Sequence, residues 1–348
     1  MRTMARMTMK IARDDGTMPS KLRALFAKSG DLPPAATMLF PHPLAWATLA
    51  GLSALAAAWF AISPLRFVVD EDMRNTLVSL AVVLPLAAFV SWRGFARLGA
   101  FLFTLPFFVI TGILGRALNY LFVLLALPLQ DDWLARADAV LGFDWVAAVM
   151  LVDSHPWLAS LLRFAYASYA WLLPLTFLLL TLMGRLRRLR EFLLLFTLTG
   201  FATMAIGGLL PALGAFEHFR INAADLATLP PETGRTWVPD MLALQAGTFR
   251  DFVVAKADGL TAFPSFHAVM ALLFAFAFRG TILHWPMFLL SVLVMVATPV
   301  FGGHYFVDLL GGVAIFILFV ALFRRLGLLD ETSAPARESM RPAAMPAE

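Results

Sequence analysis

The sequence predicts an all-α polytopic integral membrane protein, a helical bundle with about eight transmembrane spans. Three observations lead there. Hydrophobic residues make up 60% of the chain and charged ones 14%, whereas a soluble domain has about 45–50% and about 25%. The mean hydropathy is +0.79. Apolar runs recur at the length of about 20 residues that crosses a hydrocarbon layer of about 30 Å, and they lack the polar–apolar alternation of barrel strands.

The elements follow in order. Residues 1–43 mix Lys10, Arg13, Lys21, Arg23 and Lys28 with Asp14, Asp15 and Asp31 and hold no apolar core of signal-peptide type, which reads as a basic cytoplasmic tail. Spans are expected at about 44–62, 75–91, 98–118 (extending in broken form to 129), 157–182, 191–210, 263–279, 284–301 and 303–324. Charge placement fits this count, because Lys and Arg collect in short cytoplasmic loops. With the N-terminus inside, Arg93, Arg97, the cluster Arg185, Arg187, Arg188 and Arg190, then Arg279 and the pair Arg324 and Arg325 all fall inside. Residues 130–156 then read as a surface-lying helix on the outer side. The stretch 211–262 is too long to be structureless; it is expected to hold its own helix and to roof whatever lies beneath.

This organisation divides the chain into the tail 1–43, a two-span extension 44–97, a six-span core 98–325 and a disordered tail 326–348 rich in Pro and Ala. The net charge of +4 sits in Arg clusters beside the apolar runs, so it speaks for topology and lipid headgroups and not for nucleic acid. With no cysteine, disulfides, thiolate metal sites and thiol nucleophiles are excluded. No internal repeat supports an inverted-repeat transporter.

Two histidines stand where different spans meet the same outer surface. His267 follows Pro264 and Ser265 in "FPSFH", and His304 lies in "GGHYFVD" with Asp308 four residues on. On a helix those two side chains share a face. A carboxylate on one ring nitrogen fixes the tautomer and leaves the other nitrogen nucleophilic, while a second histidine can protonate a leaving group. Pro264 fits a first helical turn, after which the amides around Ser265 and His267 are free donors at a positive helix end. An anion held between two histidines points to phosphoryl transfer through a phosphohistidine. A zinc site on His267, His304 and Asp308 would have only three ligands and no supporting cluster, so no metal is expected.

"FPSFH" together with "TPVFGGHYFVD" resembles the type 2 phosphatidic acid phosphatase superfamily, and within it the inositol phosphorylceramide synthase-like branch, in the form of a bacterial member. The resemblance covers about 244–320 and, more loosely, extends back to about 98. It implies that His304 is the nucleophile, Asp308 its orienting partner and His267 the acid/base, with Ser265 and nearby amides on phosphate. It implies a phosphotransferase that passes a phosphorylated head group from a phospholipid donor to a lipid or alcohol acceptor, without a cofactor. The site would face the periplasm from a bacterial inner membrane, with both termini cytoplasmic. Ala297 and Thr298 stand where the superfamily usually has Ser-Arg, and its upstream Lys-Arg-Pro signature is missing. The phosphate clamp must then come from elsewhere: Arg250, Lys256, Arg220 or Arg163. Arg116 and Asn119, in a run broken by Gly112 and Gly115, read as a helix end or a polar contact between helices. Water as acceptor would make the protein a lipid phosphate phosphatase, and a lipid transporter of the same fold is a further alternative.

Overall fold

The computed structural model describes residues 40–329 and residue 32. Nearly all of the expected N-terminal tail, and the C-terminal tail from residue 330, lie outside the described residues. The protein is an all-α membrane bundle. Its helices are α1 Pro43–Ile62, α2 Glu71–Trp92, α3 Ala96–Val123, α4 Asp131–Val140, α5 Trp145–Asp153, α6 Pro156–Leu182, α7 Leu186–Leu209, α8 Ala215–His218, α9 Val238–Gln245, α10 Phe266–Ala277, α11 His284–Phe301 and α12 Phe306–Arg325. Among the described residues, seven of these are long and apolar enough to cross a membrane: α1, α2, α3, α6, α7, α11 and α12.

Helix starts carry their own signals. Pro43 and Pro156 open α1 and α6, where a missing N–H costs nothing. Asp70 and Asp144 cap α2 and α5 by accepting from the Met73 and Ala147 amides, both at 2.9 Å. The span expected at 263–279 forms the 12-residue helix α10 instead. At 1.5 Å per residue it is about 18 Å long, short of the about 30 Å of hydrocarbon. Ser265 caps it at one end, and the chain turns back just beyond Phe278 toward α11.

The non-helical approach to α10 is tolerated because protein groups satisfy it. Asn119, on α3, accepts from the Leu260 amide at 2.8 Å and donates to the Thr261 hydroxyl at 3.0 Å. Asn119 therefore binds a non-helical segment and holds it in place, where a contact between two helices was expected.

The surface helix expected over 130–156 is two helices, α4 and α5, separated by a turn at Gly142 and the Asp144 cap. The 211–262 stretch carries α8, α9 and two 3-10 turns. It is pinned to the α1–α2 loop by a short parallel pairing of β1, Arg66–Phe67, with β2, Asp251–Phe252. Arg66 forks onto the Asp251 carboxylate at 2.8 and 3.1 Å. Within the bundle α3 packs on α2 and α7, and α10 packs on α7, α11 and α12. At the opposite end, Arg279 pairs with Glu191 at 2.5 Å and lies over the Phe276 ring.

Candidate active site

His304 sits in the short link between α11 and α12. The link is tight: Gly303 has φ +63°, and a Cβ there would come within 2.2 Å of the Gly234 carbonyl oxygen, so only glycine fits. The first surface helices hold it. Trp145 donates its indole N–H to the His304 carbonyl at 3.0 Å, and the Tyr305 hydroxyl donates to Asp131 at 2.9 Å. Asp138 accepts from the Phe306 and Val307 amides, both at 2.8 Å, and so caps α12 from outside it. Asp131 also accepts from the Leu213 and Gly214 amides at 3.0 and 2.9 Å. Burial raises the Asp138 pKa against the pull of its two amide bonds.

Asp308 is fully buried. One of its oxygens, Oδ2, accepts from the Tyr305 amide at 2.9 Å and lies 3.2 Å from His304 Nδ1. An acceptor there sets the ring proton on Nδ1 and leaves the lone pair on Nε2. Burial pushes the His304 imidazole down to about 4, against a backbone hydrogen bond with Ala262. The ring is neutral near pH 7, the state a nucleophile requires.

His267 lies in the first turn of α10, and its ring centroid is 5.7 Å from that of His304. Two tyrosines of α6 fix its plane: Tyr166 stacks at 4.7 Å and Tyr169 meets it edge-on at 5.3 Å. The two histidine-bearing elements are also tied by backbone, since the Ser265 amide donates to the Asp308 carbonyl at 2.9 Å. Gly312 makes this approach possible, because a Cβ there would stand 2.4 Å from the Ser265 carbonyl oxygen.

Both histidines open onto a cavity of about 550 Å³. Arg163 lines it together with Tyr166 and Tyr169 and remains exposed. Arg116 lines it from α3. Each arginine is seven residues from the histidine end of its helix, about 10 Å in at 1.5 Å per residue. Among the described residues neither makes an ion pair. Glu232, Asp258 and Trp237 line the cavity from the 211–262 roof.

The remaining expected phosphate ligands are placed differently. Ser265 is buried as the α10 cap, its hydroxyl accepting from the Ala268 amide at 3.4 Å. Arg250, Lys256 and Arg220 are exposed and are not among the cavity-lining residues; Arg250 donates to its neighbour Phe249's carbonyl beside β2. Trp145, Asp131 and Asp138 belong to no motif in the sequence; the one signal they leave is that the two aspartates, seven apart, share one face of α4.

A family model described as the PAP2 superfamily matches residues 132–322. No curated protein matches the chain, and no solved structure does.

Proposed function

The chain belongs to the PAP2 superfamily, which fits a membrane lipid phosphatase or phosphotransferase, and from that premise we propose a lipid phosphotransferase that works through a phosphohistidine on His304. The observation that carries this reading is the His304 Nδ1 to Asp308 contact of 3.2 Å with the His267 ring 5.7 Å away across one cavity. In the first step His304 Nε2 forms a bond to phosphorus, the bond from phosphorus to the leaving oxygen breaks, and His267, whose imidazole burial and the neighbouring His304 hold down to about 3 in the free protein, gives that oxygen a proton it takes up when the anionic phosphate ester binds beside it. In the second step an acceptor hydroxyl attacks phosphorus, its proton passes to His267, and the N–P bond breaks. The protein's groups are thereby restored.

Arg116 and Arg163 supply the clamp whose usual source the sequence lacks. Two guanidinium groups suit the charge spread over phosphoryl oxygens. A lipid alcohol as acceptor makes the reaction head-group transfer, as in the inositol phosphorylceramide synthase-like branch that the motifs resemble; water makes it hydrolysis. The lipid donor and acceptor come from the membrane itself. The Arg-rich loops favour a periplasmic site, with the six spans after residue 97 as the catalytic unit and residues 44–97 as an extension.

The test is an assay on detergent-purified protein, wild type beside His304→Ala and His267→Ala. It follows free phosphate and new phospholipid from phosphatidic acid, phosphatidylglycerol and phosphatidylinositol, with and without ceramide or diacylglycerol. A new phospholipid lost in both variants supports transfer, and free phosphate alone assigns a phosphatase. Lipid movement in vesicles that persists in His304→Ala, with no phosphate chemistry in wild type, would favour a transporter.

A further inference from the structure

The cavity is graded along its depth. On α3 the residues lining it include Phe108, Gly112, Arg116 and Asn119, spaced by four, four and three, which is one helix face. They run from apolar to charged toward the histidine end. α6 repeats the order, with Leu173 deep and Arg163 near the histidines, and α7 contributes Phe196. From Arg116 to Phe108 is about 12 Å along the helix and from Arg163 to Leu173 about 15 Å. An apolar shaft therefore continues well beyond the charged tier, into the middle of the bundle.

The polar residues of this shaft are already satisfied. Thr111, Thr197 and Thr203 line it, yet each hydroxyl donates at 2.8 Å to a carbonyl of its own helix: Phe107, Leu193 and Gly200. Water needs two to four polar partners to be held in a cavity, whereas hydrocarbon needs none. Gly112 stands in the wall halfway down, and a Cβ there would meet nothing within 4 Å. No neighbouring side chain requires glycine at this position; its small size leaves the shaft open.

Resting on the proposed phosphotransferase reading, we infer that the shaft takes one hydrocarbon chain of the lipid whose phosphate sits at Arg116 and Arg163. The chain points away from the histidines into the bundle, and Gly112 is a specificity-determining residue for its length. The ligand class is a phosphate ester bearing a long unbranched chain, held inside the protein.

The experiment compares hexadecyl phosphate with butyl phosphate as substrates for wild type, Gly112→Ala and Gly112→Leu. The readout is the ratio of kcat/KM for the two esters, in which any loss of folded protein cancels. Leu at this position displaces about two methylenes, so the hexadecyl-to-butyl ratio should fall about tenfold, with Ala between. An unchanged ratio in Gly112→Leu overturns the inference. If wild type turns over neither ester, alkyl monoesters are not its donors and the phospholipid assay decides the phosphotransferase reading, while equilibrium binding of hexadecylphosphonate decides the shaft separately. An affinity about tenfold weaker in Gly112→Leu than in wild type upholds it; equal affinities, or no binding to either, overturn it.

Discussion

The α1–α2 pair and the α3, α6 and α7 trio differ little in hydropathy and greatly in placement. Only 17% and 11% of the apolar windows of α1 and α2 are buried within the protein, against 50%, 44% and 61% for α3, α6 and α7. The corresponding hydropathies overlap, 1.6 and 1.8 against 2.1, 1.5 and 1.9. Lipid tails are as apolar as leucine, so hydrophobicity marks a span but does not say which spans form the centre. Polar groups do. α1 has no charged residue, and α2 keeps its charges in its first turn. α3 carries Arg116 and Asn119, and α6 carries Arg163, all facing the cavity. Ionisable groups within spans are expensive and are retained where they bind something.

The largest effect that would break or uphold this contrast is at the proposed nucleophile. His304→Ala should lower kcat/KM by about 10⁴-fold or more, and His267→Ala by about 10²–10⁴-fold, both measured in the lipid assay. Next come the cavity cations. Arg116→Gln and Arg163→Gln should each cost about 10²-fold in kcat/KM, whereas Val82→Leu on the exposed face of α2 should change it by no more than about twofold. Equal losses at Arg116 and Val82 would erase the distinction between the two regions.

Smaller effects sharpen it. Asp138→Asn replaces one acceptor oxygen by a donor and leaves the Phe306 or Val307 amide unpaired at the start of α12. The expected cost is about 1–3 kcal/mol, read as a lower denaturation midpoint in detergent. The smallest effect concerns acid. Burial pushes the Asp153 pKa up, but amide bonds from Ala227, Leu229 and Thr228 outweigh it and hold the group below its usual value. A carboxyl depressed in the folded state contributes stability above its unfolded pKa of about 3.9, and that contribution fades as pH falls through the lower folded value. Wild type should therefore lose midpoint on acidification below about pH 4, and Asp153→Asn should lose less over the same range.

Much of this was legible in the sequence. Spans read off as apolar runs, and His304, Asp308 and His267 stood out because motif spacing places the first two on one turn and the third at a helix mouth. Arg163 was visible as a cation set inside a span. Arg250 and Lys256 looked near the site only because they precede "FPSFH"; the β1–β2 pairing and the following 3-10 turn hold that segment beside the α1–α2 loop. Arg116 was hard to assign because the phase of a helix cannot be read without its neighbours, and α3 lies far from the motifs in the chain. Asp131 and Asp138 stand in the stretch expected to lie on the outer surface, where an acidic side chain is ordinary. Their partners are backbone amides of distant segments, which leave no trace in composition or periodicity. His42 and His284, outside the motifs, find local partners: His42 accepts from the Leu44 amide, and His284 Nδ1 lies 3.2 Å from the Ala275 carbonyl.

A covalent phosphohistidine on His304 can be trapped by rapid acid-free quenching. Phosphorus-labelled phosphatidic acid would be mixed with wild type, His267→Ala and His304→Ala, and labelled peptides mapped under alkaline conditions. An acid-labile, alkali-stable label is expected on the peptide containing His304 in wild type, and none in His304→Ala. Label that persists in His304→Ala, or that maps to another residue, would contradict it.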